Sequence, residues 1–164
     1  MAQPNWLTER EDRAWRAYRR MQTLLPAQLA RDLGRDSGLS DPDYDVLSTL
    51  SERPDHRWQL RELAARILWS RSRLSHHIAR MEQRGLVARE DDPDDRRGCI
   101  LVLTPLGLKT LKQAAPLHVA SVREHFLDLV TDTELATLTG IYERVVERLE
   151  SRGEAKVDHR KFGG

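Results

Sequence analysis

The chain has 164 residues, 39% of them hydrophobic and 32% charged, with a formal net charge of +1. That is enough chain for one buried core, and no apolar run approaches the roughly 18 residues that a membrane-spanning helix requires. The N-terminal MAQPNWLTEREDRAW lacks a basic stretch followed by an apolar one, so no secretory signal is expected, and the lone Cys99 has no internal disulfide partner; both point to a reduced, cytoplasmic setting.

In chain order, residues 8–33 predict a long helix, because Trp15, Tyr18, Met21, Leu25 and Leu29 step by three or four along one face. Pro26 lies inside it and is expected to kink or split it. Gly34 to Gly38 closes the segment. Asp41-Pro42 predicts a helix start, with a carboxylate cap and proline in the first turn, and Tyr44, Leu47 and Leu50 give a short apolar stripe. After the Glu52–Asp55 loop, Arg57-Trp58 suits a very short strand. Leu60, Leu63, Ala64 and Ile67 then face inward from one helix, and Leu74, Ile78 and Met81 from the next. Gly85 stands where a left-handed cap ends that second helix. Residues 86–90 and 99–103 predict two strands joined by a polar turn from Asp91 to Gly98. Thr104-Pro105 opens another helix with a stripe of Leu108, Leu111, Ala115, Val119, Val122, Phe126 and Leu129, bent at Pro116. Thr131-Asp132-Thr133-Glu134 reads as a capping box before a last helix with Leu135, Leu138, Tyr142, Val145 and Leu149 on one face. The tail 151–164 has no periodicity and is expected to be disordered.

Helix, turn, helix, strand, turn, strand is the order of a winged helix-turn-helix. The fold class is therefore mainly α with a small β-wing, a core at about 40–104 framed by long N- and C-terminal helices at about 8–33 and 105–150, all in one domain over 1–150. The small net charge conceals a local one. From Arg57 to Arg89 there are eight arginines against only Glu62 and Glu82, and a ligand feels the charge within a Debye length of roughly 8 Å rather than the average. With Leu74, Ile78 and Met81 turned inward, the second motif helix presents Arg71, Ser72, Ser75, His76 and Arg80, flanked by Arg73 and His77. Ser70 caps it, so its amide end points outward. Arginine reads guanine through two hydrogen bonds, and serine and a helix N-terminus suit phosphate. One basic helix face is usually only a solvated surface; its place between a helix-turn and a wing selects the nucleic-acid reading. Arg96 and Arg97 at the wing turn suit a minor groove, with Asp94 or Asp95 placed to hold one of them; the alternative is a surface ion pair of little energetic weight.

A winged helix-turn-helix needs only about half of this chain. The apolar stripes near both termini, with Leu7, Phe126, Leu129, Leu135, Leu138, Tyr142, Val145 and Leu149, want a partner, and a second copy is the economical one. A two-fold dimer would set its recognition helices about 34 Å apart on a near-palindromic site in double-stranded DNA.

Residues 40–150 resemble the MarR family of transcriptional regulators, and the framing helices extend the likeness over nearly the whole chain. The likeness is carried by ELAARILWSRSRLSHHIARMEQRGLV at 62–87 and by DPDDRRGCILVLTPLG at 92–107. The second stretch is the more specific, because an aspartate-arginine wing followed by alternating apolar residues and Leu-Thr is a hallmark of that family. The resemblance implies a homodimer, DNA contacts at positions matching Ser70 to His77 and Arg80, wing contacts at Arg96 and Arg97, and a small-molecule cleft between the DNA-binding lobe and the dimerisation helices. A repressor released by an aromatic or phenolic effector is the expected role, with Trp15, Tyr18, Trp69, His118 and Arg123 as candidates to border the cleft and ordinary packing as the alternative for each. The family often has glycine in the motif turn, where this chain has Leu68-Trp69; a leucine at positive φ would be strained, so a different turn is expected, with Trp69 packing on the first motif helix. No enzyme, cofactor or metal site is expected. No phosphate loop or nucleophile elbow is visible, and His118 and His125 are seven residues apart with no cysteine or carboxylate set beside them. His76 and His77 diverge by about 100° around their helix. Cys99 reads as an inert thiol on a strand.

Overall fold

The computed structural model describes residues 4–93 and 95–151, apart from the side chains of Arg96 and Arg97. The chain forms α1 (Glu9–Ser37), α2 (Asp41–Ser51), β1 (Arg57–Gln59), α3 (Leu60–Arg66), α4 (Arg71–Gln83), β2 (Val87–Asp92), β3 (Asp95–Leu103), α5 (Pro105–His125), a single 3-10 turn at Leu127–Leu129, and α6 (Asp132–Ser151). Of the expected disordered tail, 151–164, Ser151 is instead the last residue of α6, and 152–164 lie outside the described residues. Among those described, no helix is long and apolar enough to cross a membrane.

The start signals operate as local chemistry dictates. Thr8 and Glu11 form a capping box at α1, and Thr131 and Glu134 form another at α6. At α2 the cap is Ser40 rather than Asp41. Its hydroxyl accepts from the Asp43 amide while the Asp43 carboxylate accepts from the Ser40 amide, and a reciprocal pair satisfies two amides where Asp41 would satisfy one. The expected break at Pro26 does not occur, and α1 continues for 29 residues. Pro26 and Gln22, whose carbonyl loses its partner, are both exposed, so the missing bond does not leave a buried orphan carbonyl. Pro116 is likewise exposed within an unbroken α5.

The sheet has the antiparallel order β1-β3-β2, with Trp58 opposite Leu101 and Val87 opposite Leu103. Leu47, Leu50, Leu63, Leu74, Ile78, Met81 and Leu101 are fully buried between this sheet and helices α2 to α4. Both wing strands reach further than the alternation of apolar residues indicated, so the backbone of Arg96 and Arg97 lies in β3 and not in the turn. The α3–α4 turn keeps the strained form that leucine was expected to avoid. Leu68 has φ +55° and its side chain is 75% exposed.

The outer helices depart from expectation in an informative way. α5 buries Gly107, Leu111, Ala114 and Ser121, a face made mostly of small residues, and leaves Val119 exposed. Small side chains let α1 approach closely, and they direct the neighbouring apolar stripe away from the protomer. At the start of α5 the fit is tightest, since a Cβ on Gly107 would stand 2.0 Å from the Leu86 carbonyl oxygen. α6 buries no residue at all.

Candidate nucleic-acid interface

Ser70 begins α4 in extended backbone, and its hydroxyl accepts from the Arg73 amide at 3.2 Å. The first turn therefore opens outward with its positive dipole end uncovered by any acidic residue. Arg71, Ser72, Arg73, His76 and Arg80 are exposed along one side, and Ser75 is half-buried. On the opposite side Leu74, Ile78 and Met81 fill the core. The Arg73 guanidinium lies 4.0 Å over the Trp69 ring, so an aromatic plane steers it. From β2, Arg89 donates to the Ser75 carbonyl at 2.7 Å and pairs with Glu82 at 3.2 Å, which pins α4 to the wing.

His77 was grouped with the DNA-contacting candidates, and the structure places it otherwise. It is 8% exposed. Its Nε2 lies 3.1 Å from Oδ1 of Asp43, a close approach whose geometry falls short of a hydrogen bond, and its Nδ1 lies 3.0 Å from an Arg80 nitrogen. The signal for this was available, because 74, 77, 78 and 81 form one unbroken inward face at helical spacing. Burial pushes the His77 pKa below its ordinary value. Asp43 opposes that shift, while Arg80 and Arg84 add to it.

The basic stretch from 57 to 89 divides into two sets. Arg57 pairs with Glu90, Arg61 with Asp95, Arg66 with Glu52, Arg84 with Asp43, and Arg89 with Glu82. Arg71, Arg73 and Arg80 have no carboxylate within ion-pair distance among the described residues, and all three belong to the exposed side of α4. Sequence distance hid the neutralising carboxylates, four of which lie outside the motif helices. The positive charge left over is thereby concentrated on one helix. A crevice of about 300 Å³ at the base of the wing, lined by Gln59, Arg61, Arg71, Asp92, Asp95 and Cys99, separates that helix from β3.

Comparison with known proteins agrees with this arrangement. The profile described as the MarR family matches residues 37–98. The transcriptional regulator HosA of Escherichia coli O111:H- is 33% identical over 119 residues, spanning 73% of this chain and 86% of HosA. Among solved structures, AbsC, a MarR family transcriptional regulator from Streptomyces coelicolor, is 42% identical with a TM-score of 0.84, covering 90% of this chain and 99% of AbsC. Sco3205, a MarR family transcriptional regulator from the same organism solved in complex with DNA, is 40% identical with a TM-score of 0.86, covering 94% of this chain and 98% of Sco3205.

The chain belongs to the MarR family.

In this MarR-family chain the candidate effector residues do not form one cluster. Trp15 and Tyr18 stack on each other at 5.5 Å, four to five turns before Asp32, where α1 meets Ser121 of α5. Arg123 pairs with Asp128 at 3.1 Å near the end of α5. His118 packs at 4.5 Å on Tyr44, and its Nδ1 is buried without a hydrogen-bond partner among the described residues. Trp69 meets His77 edge-on at 5.5 Å and packs, half-buried, against the core. Two residues absent from the candidate set join this neighbourhood: Tyr44, and Asp45, which is coupled electrostatically to both His118 and Arg73. Although Asp45 is exposed at the surface, desolvation and then Asp41 raise its carboxyl above the usual range, with His118 and Arg73 opposing. Cys99 is half-buried, and burial pushes its thiol up, away from reactivity. The wing candidates Arg96 and Arg97 have side chains outside the described residues.

Proposed function

We propose that this MarR-family regulator binds a near-palindromic site in double-stranded DNA as a homodimer and represses transcription until a small aromatic or phenolic molecule releases it. The observation that carries the reading is the division of the arginines. The fold neutralises those with a structural role and leaves Arg71, Arg73 and Arg80 without a carboxylate partner among the described residues, on the exposed side of a helix of winged helix-turn-helix geometry. Arg71, Ser72, Arg73, His76 and Arg80 face the groove, Ser70, Ser75 and the helix N-terminus serve phosphate, and Arg96 and Arg97 extend the contact from the wing.

The dimer is supported by surfaces that one copy leaves open. α6 keeps Leu135, Ile141, Tyr142, Val145, Val146 and Leu149 exposed although it is regular, capped and 20 residues long. An isolated helix of that kind is marginal in water and gains its stability from packing. Leu7 and Leu129 are exposed as well, and Phe126 and Leu138 are half-buried. The effector site in this reading is narrower than the sequence indicated: Tyr44 and Asp45 of α2 with His118 of α5, and Trp69 in the turn before α4. A ligand held there bears on both the recognition helix and the outer helices, so it shifts the population toward a spacing that no longer matches the half-sites.

Titration of fluorescent duplexes tests the reading. The DNA upstream of the protein's own gene is expected to bind at nanomolar concentration, with log Kd rising steeply with log salt, by about 0.9 per neutralised phosphate. Equal affinity for any duplex of that length would overturn it.

A further inference from the structure

His77 is the one polar side chain on the inward face of the recognition helix, and the contacts on its two nitrogens differ in kind. Arg80, one turn further along, brings a guanidinium nitrogen to 3.0 Å from Nδ1. Arginine is a donor only, so Nδ1 must accept and the ring proton must sit on Nε2. There the proton faces Oδ1 of Asp43 at 3.1 Å. Asp43 is itself held, accepting from the Ser40 amide at 3.0 Å and from Arg84 at 2.7 Å. A chain of contacts thus runs from the N-terminus of α2, through a buried imidazole, to an arginine on the exposed side of α4. Arg80 is the only one of the three unpaired arginines with an acceptor that fixes its head group among the described residues; Arg71 has none, and Arg73 rests on the Trp69 ring.

We propose that His77 is a positioning residue for DNA recognition: as the Nε2–H tautomer between Asp43 and Arg80 it holds the Arg80 guanidinium in place, and uptake of a second proton releases that guanidinium. Protonation converts Nδ1 from acceptor to donor. Two donors, each on a cation, then face each other at hydrogen-bond distance, and Arg80 must swing away. The charged groups around the ring are Asp43 from α2, Arg80 from α4 and Arg84 at the cap just beyond it; Trp69 offers only its ring edge. Burial first, and then Arg80 and Arg84, disfavour the imidazolium against the pull of Asp43, so the ring titrates below the ordinary histidine value of about 6.5. This inference rests on the reading of Arg80 as a DNA contact.

The test uses the full-length protein and a duplex selected by the wild type from random sequence at pH 7.5. Affinity is measured by fluorescence anisotropy from pH 5 to 8 at constant ionic strength. Loss of one well-placed arginine contact corresponds to about tenfold in affinity, and Arg80→Ala is expected to show that loss at every pH. The wild type is expected to approach the Arg80→Ala affinity at the acid end. His77→Leu, which gives Arg80 no acceptor, is expected to bind like Arg80→Ala throughout, and His77→Gln, whose amide oxygen can accept, to recover part of the loss and show no acid step. Protonation of exposed His76 affects all four proteins alike and cancels in their ratios. If Arg80→Ala binds as well as the wild type, the DNA-contact reading of Arg80 fails and this inference with it. If Arg80→Ala is weak but its ratio to the wild type is constant with pH, the inference alone fails. A readout without variants is the imidazole nitrogen NMR spectrum of the wild type at pH 7.5, where Nε2–H is expected and Nδ1–H would overturn the proposal.

Discussion

Replacing Asp43 by alanine tests the packing of α2 against the recognition helix. Its side chain is only 4% exposed and performs three tasks: it closes the capping box with Ser40, accepts from Arg84 at 2.7 Å and faces His77. Loss of the cap costs about 1 kcal/mol. Loss of a charge-assisted bond costs about 1.5–3 kcal/mol, and the lower half of that range applies here because the Arg84 side chain is 44% exposed and rehydrates. Together they amount to about 3 kcal/mol, or a fall in Tm of about 6–12 °C for a chain of this size. Urea titration at fixed protein concentration, followed by far-ultraviolet circular dichroism, measures the change. Arg84→Ala and the double variant complete the cycle, in which a coupling of about 1.5 kcal/mol is expected between the two residues. A loss below about 1 kcal/mol for Asp43→Ala, or strict additivity in the cycle, would refute the account of Asp43 as the tie between these helices.

Other substitutions probe the backbone and the acid response. Leu68→Gly removes a left-handed strain of about 1–2 kcal/mol at the cost of about 0.5–1 kcal/mol of extra chain entropy; since the leucine is largely exposed, a small rise in the urea midpoint is expected, and a fall would show that its side chain is packed. Gly107→Ala drives a methyl group into the Leu86 carbonyl, backbone against backbone, so a loss of about 3 kcal/mol or more is expected in thermal melts. The Asp32 carboxyl is held down to about 2, first by the Ser121 hydroxyl and the Gln28 amide, then against desolvation by His125 and Arg35. A depressed carboxylate stabilises the fold above its unfolded pKa, and that contribution is lost as pH falls from about 3.8 through about 2. Stability curves for wild type and Asp32→Asn are therefore expected to converge as pH falls through that window, and parallel curves would contradict the role given to the α1–α5 contact.

Much of this protein was legible in local sequence because the relevant physics is local. Apolar spacing placed the six α-helices, though it ran α5 on to Leu129 across the separate 3-10 turn at Leu127–Leu129; the Thr131–Glu134 box opened α6 where expected, and Gly38 and Gly85 took left-handed backbone at the helix ends where only glycine is unstrained. Order of elements and the serine-arginine composition of one helix were enough to indicate a winged helix-turn-helix that meets DNA.

What tertiary structure alone decided concerns partners distant in sequence. Eight arginines look alike along the chain, yet Glu52, Asp43, Glu90 and Asp95 neutralise four of them from other elements, and only the folded arrangement leaves Arg71, Arg73 and Arg80 without a carboxylate partner among the described residues. Packing of α5 on α1 and on the core turned Gly107, Leu111, Ala114 and Ser121 inward and left Leu117 and Val119 exposed. The strain at Leu68 persists for the same kind of reason: packing of α3 and α4 on a shared core sets the path of the turn, and one residue's backbone preference, worth about 1–2 kcal/mol, is smaller than the burial it would have to displace.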